Sequence, residues 1–193
     1  MDKKMKLSEH LTSSSVAALG HSSKLDGSRL TPHFSLAELT KTSVNIENVP
    51  SEAQVENLKR VCRWLEQLRL RYNQMRNEKG EMSNGNEEMR NEVREYPIII
   101  NSGFRSAAVN KAVGGVPTSN HLTGCAVDIR CIGMEQALRY ASILLDISDM
   151  SREDFDELLI EQKRSVVWIH FAVRPSGNRR RTSLRLRSLL QRS

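Results

Sequence analysis

The sequence predicts an α+β domain built on a small, mainly antiparallel sheet. Three observations carry that expectation. Residues 48–75 repeat apolar side chains at spacings of three and four, as one face of a helix does. Residues 97–102 and 125–131 are short apolar runs of strand length. Residues 155–173 hold two more such runs around a short basic turn, "QKRS", and read as a pair of strands. With 193 residues, 38% of them hydrophobic and 27% charged, the chain can bury one core and stay soluble.

Residues 1–30 are polar and Ser-rich and read as a flexible leader. The basic start is broken by Glu9 and His10 and leads into no apolar run, so no signal peptide is expected. Ser35 and Glu38 form a capping-box pattern that starts a short helix, with Phe34 and Leu39 as a hydrophobic staple. Ser51 and Gln54 repeat the pattern at the long helix. There Val55, Leu58, Val61, Cys62, Leu65 and Leu68 make one stripe, widened by Trp64, that should pack on the sheet. Residues 76–95 read as a polar surface insertion interrupted by Gly80 and Gly85.

Pro97 can begin the strand "PIIINS". Ser106 caps a short helix that Gly114 and Gly115 end. "CAVDIRC" is a strand, and "GMEQALRYASILL" a helix with Ala137, Leu138, Ala141, Leu144 and Leu145 on one face. In "VVWIHFAV", alternation puts Trp168, His170 and Ala172 opposite Val167, Ile169 and Phe171. The last segment, 174–193, is a basic tail that either carries a short helix with Leu184, Leu186, Leu189 and Leu190 or has no fixed form.

Several function classes drop out at this level. Three cysteines are too few for a disulfide scaffold and show no C-x-x-C spacing. Cys62 belongs to a helix face. Cys125 and Cys131 read as buried thiols, with a local disulfide as the lesser alternative. No run is long enough for a transmembrane helix, and no glycine pattern ends in the Gly-Lys-Ser/Thr of a phosphate loop. The net charge of +6 is uneven, with no acidic residue after Glu161. Such an end suits polyanions or an anionic membrane surface, and equally a solvated tail.

Two residues stand out chemically. Asp128 lies between Val127 and Ile129, and a carboxylate in an apolar strand must be paired, hydrogen-bonded or ligated. His170 has the same character within its strand. His121 precedes the strand of Asp128 by seven positions, on a loop that Gly124 lets turn closely. Two imidazoles and one carboxylate form a common catalytic zinc set that leaves a fourth position to water. The plainer alternative is a satisfied core histidine and an Asp128–Arg105 ion pair.

The segments "FSLAEL", "SGFRS", "VNKAVGG", "TSNHLTGCAVDI" and "WIHF" together resemble the M15 peptidases, the zinc D-Ala-D-Ala carboxypeptidase-like enzymes, over residues 31–173. The likeness is greatest to their small phage and bacterial branch. It implies that domain type for 31–173, a bound Zn2+, and His121, Asp128 and His170 as its ligands. It implies peptide substrates from peptidoglycan that contain D-amino acids. It also implies roles for Arg105 in substrate binding or oxyanion stabilisation and for Ser119 near the substrate.

The general base departs from the family pattern. Members place a carboxylate three residues before the last His, or a His two residues before it. Here those positions hold Val167 and Trp168. Glu161 is then the expected base, brought beside His170 by the hairpin, with Trp168 packing on the ligands or lining the cleft. Asp156 and Glu157 read as less well placed. A monomer is expected. Two rivals remain: a zinc-holding module that binds wall peptide without cutting it, and a polyanion-binding protein using residues 174–193.

Overall fold

A computed structural model describes residues 29–83 and 94–187. Expectations for the leader to residue 28, for 84–93 and for 188–193 lie outside the described residues. Seven strands and four α-helices follow in order: β1 (Arg29–Thr31), β2 (Phe34–Ser35), α1 (Leu36–Leu39), α2 (Glu52–Ser83), β3 (Ile100–Ser102), α3 (Ala107–Ala112), β4 (Ala126–Cys131), α4 (Gly133–Ser151), β5 (Glu157–Lys163), β6 (Val166–Ala172) and β7 (Arg181–Arg187). A 3-10 turn, Asn120–Thr123, leads into β4.

β1 and β2 form a small ribbon. The main sheet has five strands in the order β3-β4-β6-β5-β7. Its first three pairings are antiparallel and β5–β7 is parallel. The architecture is α+β, as the patterning requires.

One face of this sheet makes the core. Val127, Ile129, Val167, Ile169, Phe171, Leu158 and Ile160 alternate into it and are buried. α2 and α4 cover them. α2 brings Leu58, Val61, Cys62, Leu65 and Leu68, all fully buried, and sets Trp64 5.5 Å from the ring of Phe171. Its start is the expected reciprocal box. Ser51 N donates to Gln54 Oε1 at 2.7 Å, and Gln54 N donates to Ser51 Oγ at 3.4 Å. The helix continues through Gly80 to Ser83, so the first part of the expected insertion is helical. One internal glycine costs about 1 kcal/mol, too little to break a helix this long.

α4 differs from its expected face in one place. Leu138 is exposed, while Tyr140, Ile143 and Ile147 are buried beside Ala137, Ala141 and Leu144. The stripe follows a spacing of three and four from Ala137, and Leu138 falls just outside it. Cys62, Cys125 and Cys131 are buried free thiols.

The end of the described chain needs a larger correction. Residues 181–187, read as tail or helix, are strand β7 on the edge of the sheet. Asp156 is the reason. Its buried carboxylate accepts from Arg174 Nη2 (2.9 Å), Arg179 Nε (2.9 Å) and Arg179 Nη2 (3.1 Å), while Arg181 N donates to its backbone carbonyl. Arg180 pairs with Asp149 and stacks on Phe155. These arginines hold the chain against β5, and its Thr182-Leu184-Leu186 alternation then continues as a strand.

The opposite face of the sheet carries Asp128, Trp168, His170, Glu157 and Glu161, which line one cleft. Gly124 links the 3-10 turn to β4 at φ +71°, and a Cβ there would lie 2.5 Å from the Gln54 carbonyl oxygen. Both the left-handed backbone and that approach require glycine. Gly124→Ala should lower stability by about 2 kcal/mol or more, read as a shifted denaturation midpoint with an unchanged slope. An unaltered midpoint would mean that the turn is not the constraint described.

Candidate metal centre

Asp128 occupies the middle of β4, directly across from His170 on β6. The 3-10 turn delivers His121 to the same point. Ser119 Oγ accepts from His121 N at 3.3 Å and so caps that turn. Two ring nitrogens then converge on one oxygen. His121 Nε2 lies 3.2 Å, and His170 Nδ1 3.0 Å, from Asp128 Oδ1. His121, Asp128 and His170 each offer a ligand atom, all within 4.8 Å of one another.

Every member of this trio is held from behind. His121 Nδ1 is 2.6 Å from the carbonyl oxygen of Gly103. That oxygen only accepts, so Nδ1 carries a proton, and Nε2 is the ring atom that faces the cluster and can bond a metal. Gly103 is itself fixed, since a Cβ there would lie 2.2 Å from the Leu39 carbonyl oxygen. Asp128 Oδ2 accepts from Arg105 Nη2 at 2.5 Å, and Arg105 Nε donates to Ser102 Oγ at 2.8 Å. His170 Nε2 lies 3.3 Å from Glu157 Oε2. Outer partners of this kind fix the orientation and tautomer of metal-binding imidazoles. The donor set, two imidazoles and one carboxylate, suits zinc with an open position.

The electrostatics agree with the geometry. Burial alone would raise the pKa of Asp128, but His121 and His170 beside it hold the carboxyl well below the usual range. Burial alone would lower His170, yet its bonds to Asp128 and Glu157 push it up to about 9. A metal taking Nδ1 displaces that proton, so binding strengthens as pH rises.

The Asp128–Arg105 ion pair is therefore present together with the convergent trio. The register of the hairpin distinguishes the two remaining carboxylates. Lys163 pairs with Val166, which places Leu159 opposite His170. Glu157 and Glu161 are then the two diagonal neighbours of His170 on the same face. Glu157 is the one that reaches the imidazole, where the sequence reading expects Glu161 beside His170. Glu161 stands directly opposite Trp168 instead and accepts from its indole Nε1 at 3.0 Å. Arg185 Nη1 approaches its other oxygen at 3.4 Å. Trp168, Ser119 and Arg105 line the cleft with the trio, and the cleft encloses about 710 Å³.

One residue of the site, Asn120, has no place in the sequence reading. Asn120 Nδ2 donates to Asp156 Oδ2 (2.9 Å) and Glu157 Oε2 (3.1 Å), joining the His121 turn to β5. Asp156, beneath it, also holds the C-terminal arginines. The period-two placement of Glu157 with Glu161 was a usable signal. Nothing local marks Asn120 except its place beside His121.

A family model, Peptidase M15, matches residues 32–170. That is more than half of the chain, and the protein belongs to the Peptidase M15 family. No curated protein matches it. Among the described residues no helix is long and apolar enough to cross a membrane.

Glu157→Ala should weaken zinc binding by roughly 10–100-fold in a chelator competition, and Glu157→Gln, which can still accept from Nε2, by less. Equal affinity in wild type and the Ala variant would remove Glu157 from the centre. For Asp156, burial raises the pKa, but the bonds from Arg179 and Asn120 outweigh it and the net shift is downward. A depressed carboxylate stabilises the fold in full above the unfolded value of 3.8 and loses that contribution as pH falls below it. Asp156→Asn should cost about 2 kcal/mol at neutral pH. The gap from wild type should narrow below pH ~4 in urea titrations. A gap independent of pH would assign the loss to packing.

Proposed function

We propose that the protein is a zinc peptidase that hydrolyses peptide bonds involving D-amino acids in peptidoglycan stem or cross-link peptides, as a D,D-carboxypeptidase or endopeptidase. One observation carries the reading. Two imidazoles and a carboxylate converge in an open cleft, each backed by its own outer partner, in a chain of the Peptidase M15 family. The fold is then of the D-Ala-D-Ala carboxypeptidase type, and the protein acts as a monomer.

His121 Nε2, Asp128 and His170 Nδ1 would hold the zinc. When bound, it supplies Lewis acidity that activates water and polarises a carbonyl. Glu161 takes the proton and returns it to the leaving amine. Its support is position: it is a diagonal neighbour of His170, on the cleft face, and is not bonded to the imidazole. Glu157 is already committed to Nε2, the ring atom away from Asp128, and serves as a positioning residue. The Trp168 indole N–H steadies Glu161 in its place. Arg105 spends two donors on Asp128 and Ser102, and its remaining N–H groups stabilise the developing oxyanion or bind a substrate carboxylate. Ser119 lies at the substrate side of the His121 turn.

The test is peptide release from purified peptidoglycan and from D-Ala-containing stem peptides by zinc-loaded wild type and Glu161→Gln. The expected result is cleavage by wild type and a loss of about 10²–10⁴-fold in the variant, with zinc content unchanged. A variant that keeps full activity would exclude Glu161 as base. A wild type that holds zinc and cuts none of these substrates would favour a wall-peptide-binding module.

A further inference from the structure

The cleft is lined by six Arg and Lys side chains and only three carboxylates. Four of the cations, Arg174, Arg179, Arg181 and Arg185, lie beyond residue 170, where the family match ends. The basic wall is thus built by the C-terminal segment and β7, beyond the matched residues.

Its charges are not equally engaged. Arg174 and Arg179 are tied to Asp156, and Arg181 donates to Glu157 Oε1 at 3.0 Å. At the far end the balance changes. Arg185 has one long contact, 3.4 Å, to Glu161. Lys163 lines the cleft, and its side-chain ammonium makes no hydrogen bond or ion pair with the described residues. It is exposed, at the end of β5. The register sets Arg185 beside Glu161, with Lys163 two positions further along β5.

We propose that Lys163 and Arg185 form an anion subsite that takes a carboxylate of the peptide substrate. The assignment rests on the peptidase reading for the substrate, while the subsite itself rests on the wall. Strands lie about 4.8 Å apart, so β7 is two spacings, roughly 10 Å, across from His170 on β6, and Arg185 lies two residues, roughly 7 Å, further along, about 12 Å away in all. An extended peptide advances about 3.3 Å per residue. The carboxylate therefore sits about three to four residues from the bond that is cut. An acidic side chain and a C-terminal carboxylate both offer this chemistry. The wall's remaining cations keep the carboxylate from being repelled by Asp128, Glu157 and Glu161.

The experiment uses the zinc-loaded, full-length chain and four synthetic pentapeptides ending in D-Ala-D-Ala. These combine a glutamate or glutamine side chain three residues before the terminal bond with a free or amidated C-terminus, which lies three residues beyond the bond between the second and third residues. Calorimetric titration gives Kd, and the same samples are analysed for cleavage. A charge-assisted contact corresponds to about a tenfold difference. Wild type should bind one carboxylate form about tenfold more tightly than its carboxamide, and the pair that differs names the source. Lys163→Gln with Arg185→Gln should bring that ratio near one, and Lys163→Arg should keep it. Lys163→Gln alone, an exposed change, should reduce the ratio even if the double variant fails to fold. Equal affinities in wild type, a ratio that survives both substitutions, or no binding by any of the four would each overturn the subsite. Carboxylate-dependent binding without cleavage would leave the subsite standing and remove the peptidase reading. Cleavage without carboxylate preference would do the reverse.

Discussion

A single carboxylate organises the functional face of this domain. Asp128 is fixed in the central part of a sheet whose other face is apolar, and three partners converge on it: His121, His170 and Arg105. A buried carboxylate without partners would take up a proton or destabilise the fold. Here the partners arrive from three separate elements, so the trio forms only when β3, β4, β6 and the 3-10 turn are all in register. The same arrangement that satisfies the charge preorganises a metal-ligand set, which ties stability and function to one atom group.

The second constraint is the hairpin register. Because Leu159 lies opposite His170, two glutamates flank the imidazole at equal strand distance. Their environments separate them. Glu157 is drawn to His170, Asn120 and Arg181, all on the side of the fixed C-terminal arginines. Glu161 has the indole of Trp168 and the distant guanidinium of Arg185. One carboxylate is bonded to the imidazole, and the other faces the same cleft without touching it. Two chemically identical side chains are thus given different surroundings by what lies beside them.

Much of this was legible before any coordinates. Polar residues embedded in apolar strands are costly, so Asp128 and His170 drew attention on physical grounds, and the strand alternation that exposed them was correct. The core face of α2 and both of its capping side chains followed from spacing alone. Glu157 was harder, because its partner depends on a pairing register set by the turn after Lys163, and the register cannot be read from either strand by itself. β7 was harder still. Its Arg181-to-Arg187 alternation is the period of a strand, but its leucines also fit helical spacing, and a dense run of arginines reads as solvated. What decides the matter is the buried Asp156, which lies 25 residues before Arg181 in the chain. Long-range charge pairing of this kind leaves no local signature.

The central question for this domain is whether one metal ion sits where these three side chains meet. The direct measurement is a crystal structure of the zinc-loaded chain with anomalous scattering recorded on both sides of the zinc absorption edge. One zinc peak per chain is expected, bonded to His121 Nε2, Asp128 and His170 Nδ1, with Glu157 on the far nitrogen of His170. A zinc bound elsewhere, or a His121–Asp128–His170 cluster that stays metal-free at saturating zinc, would contradict this expectation.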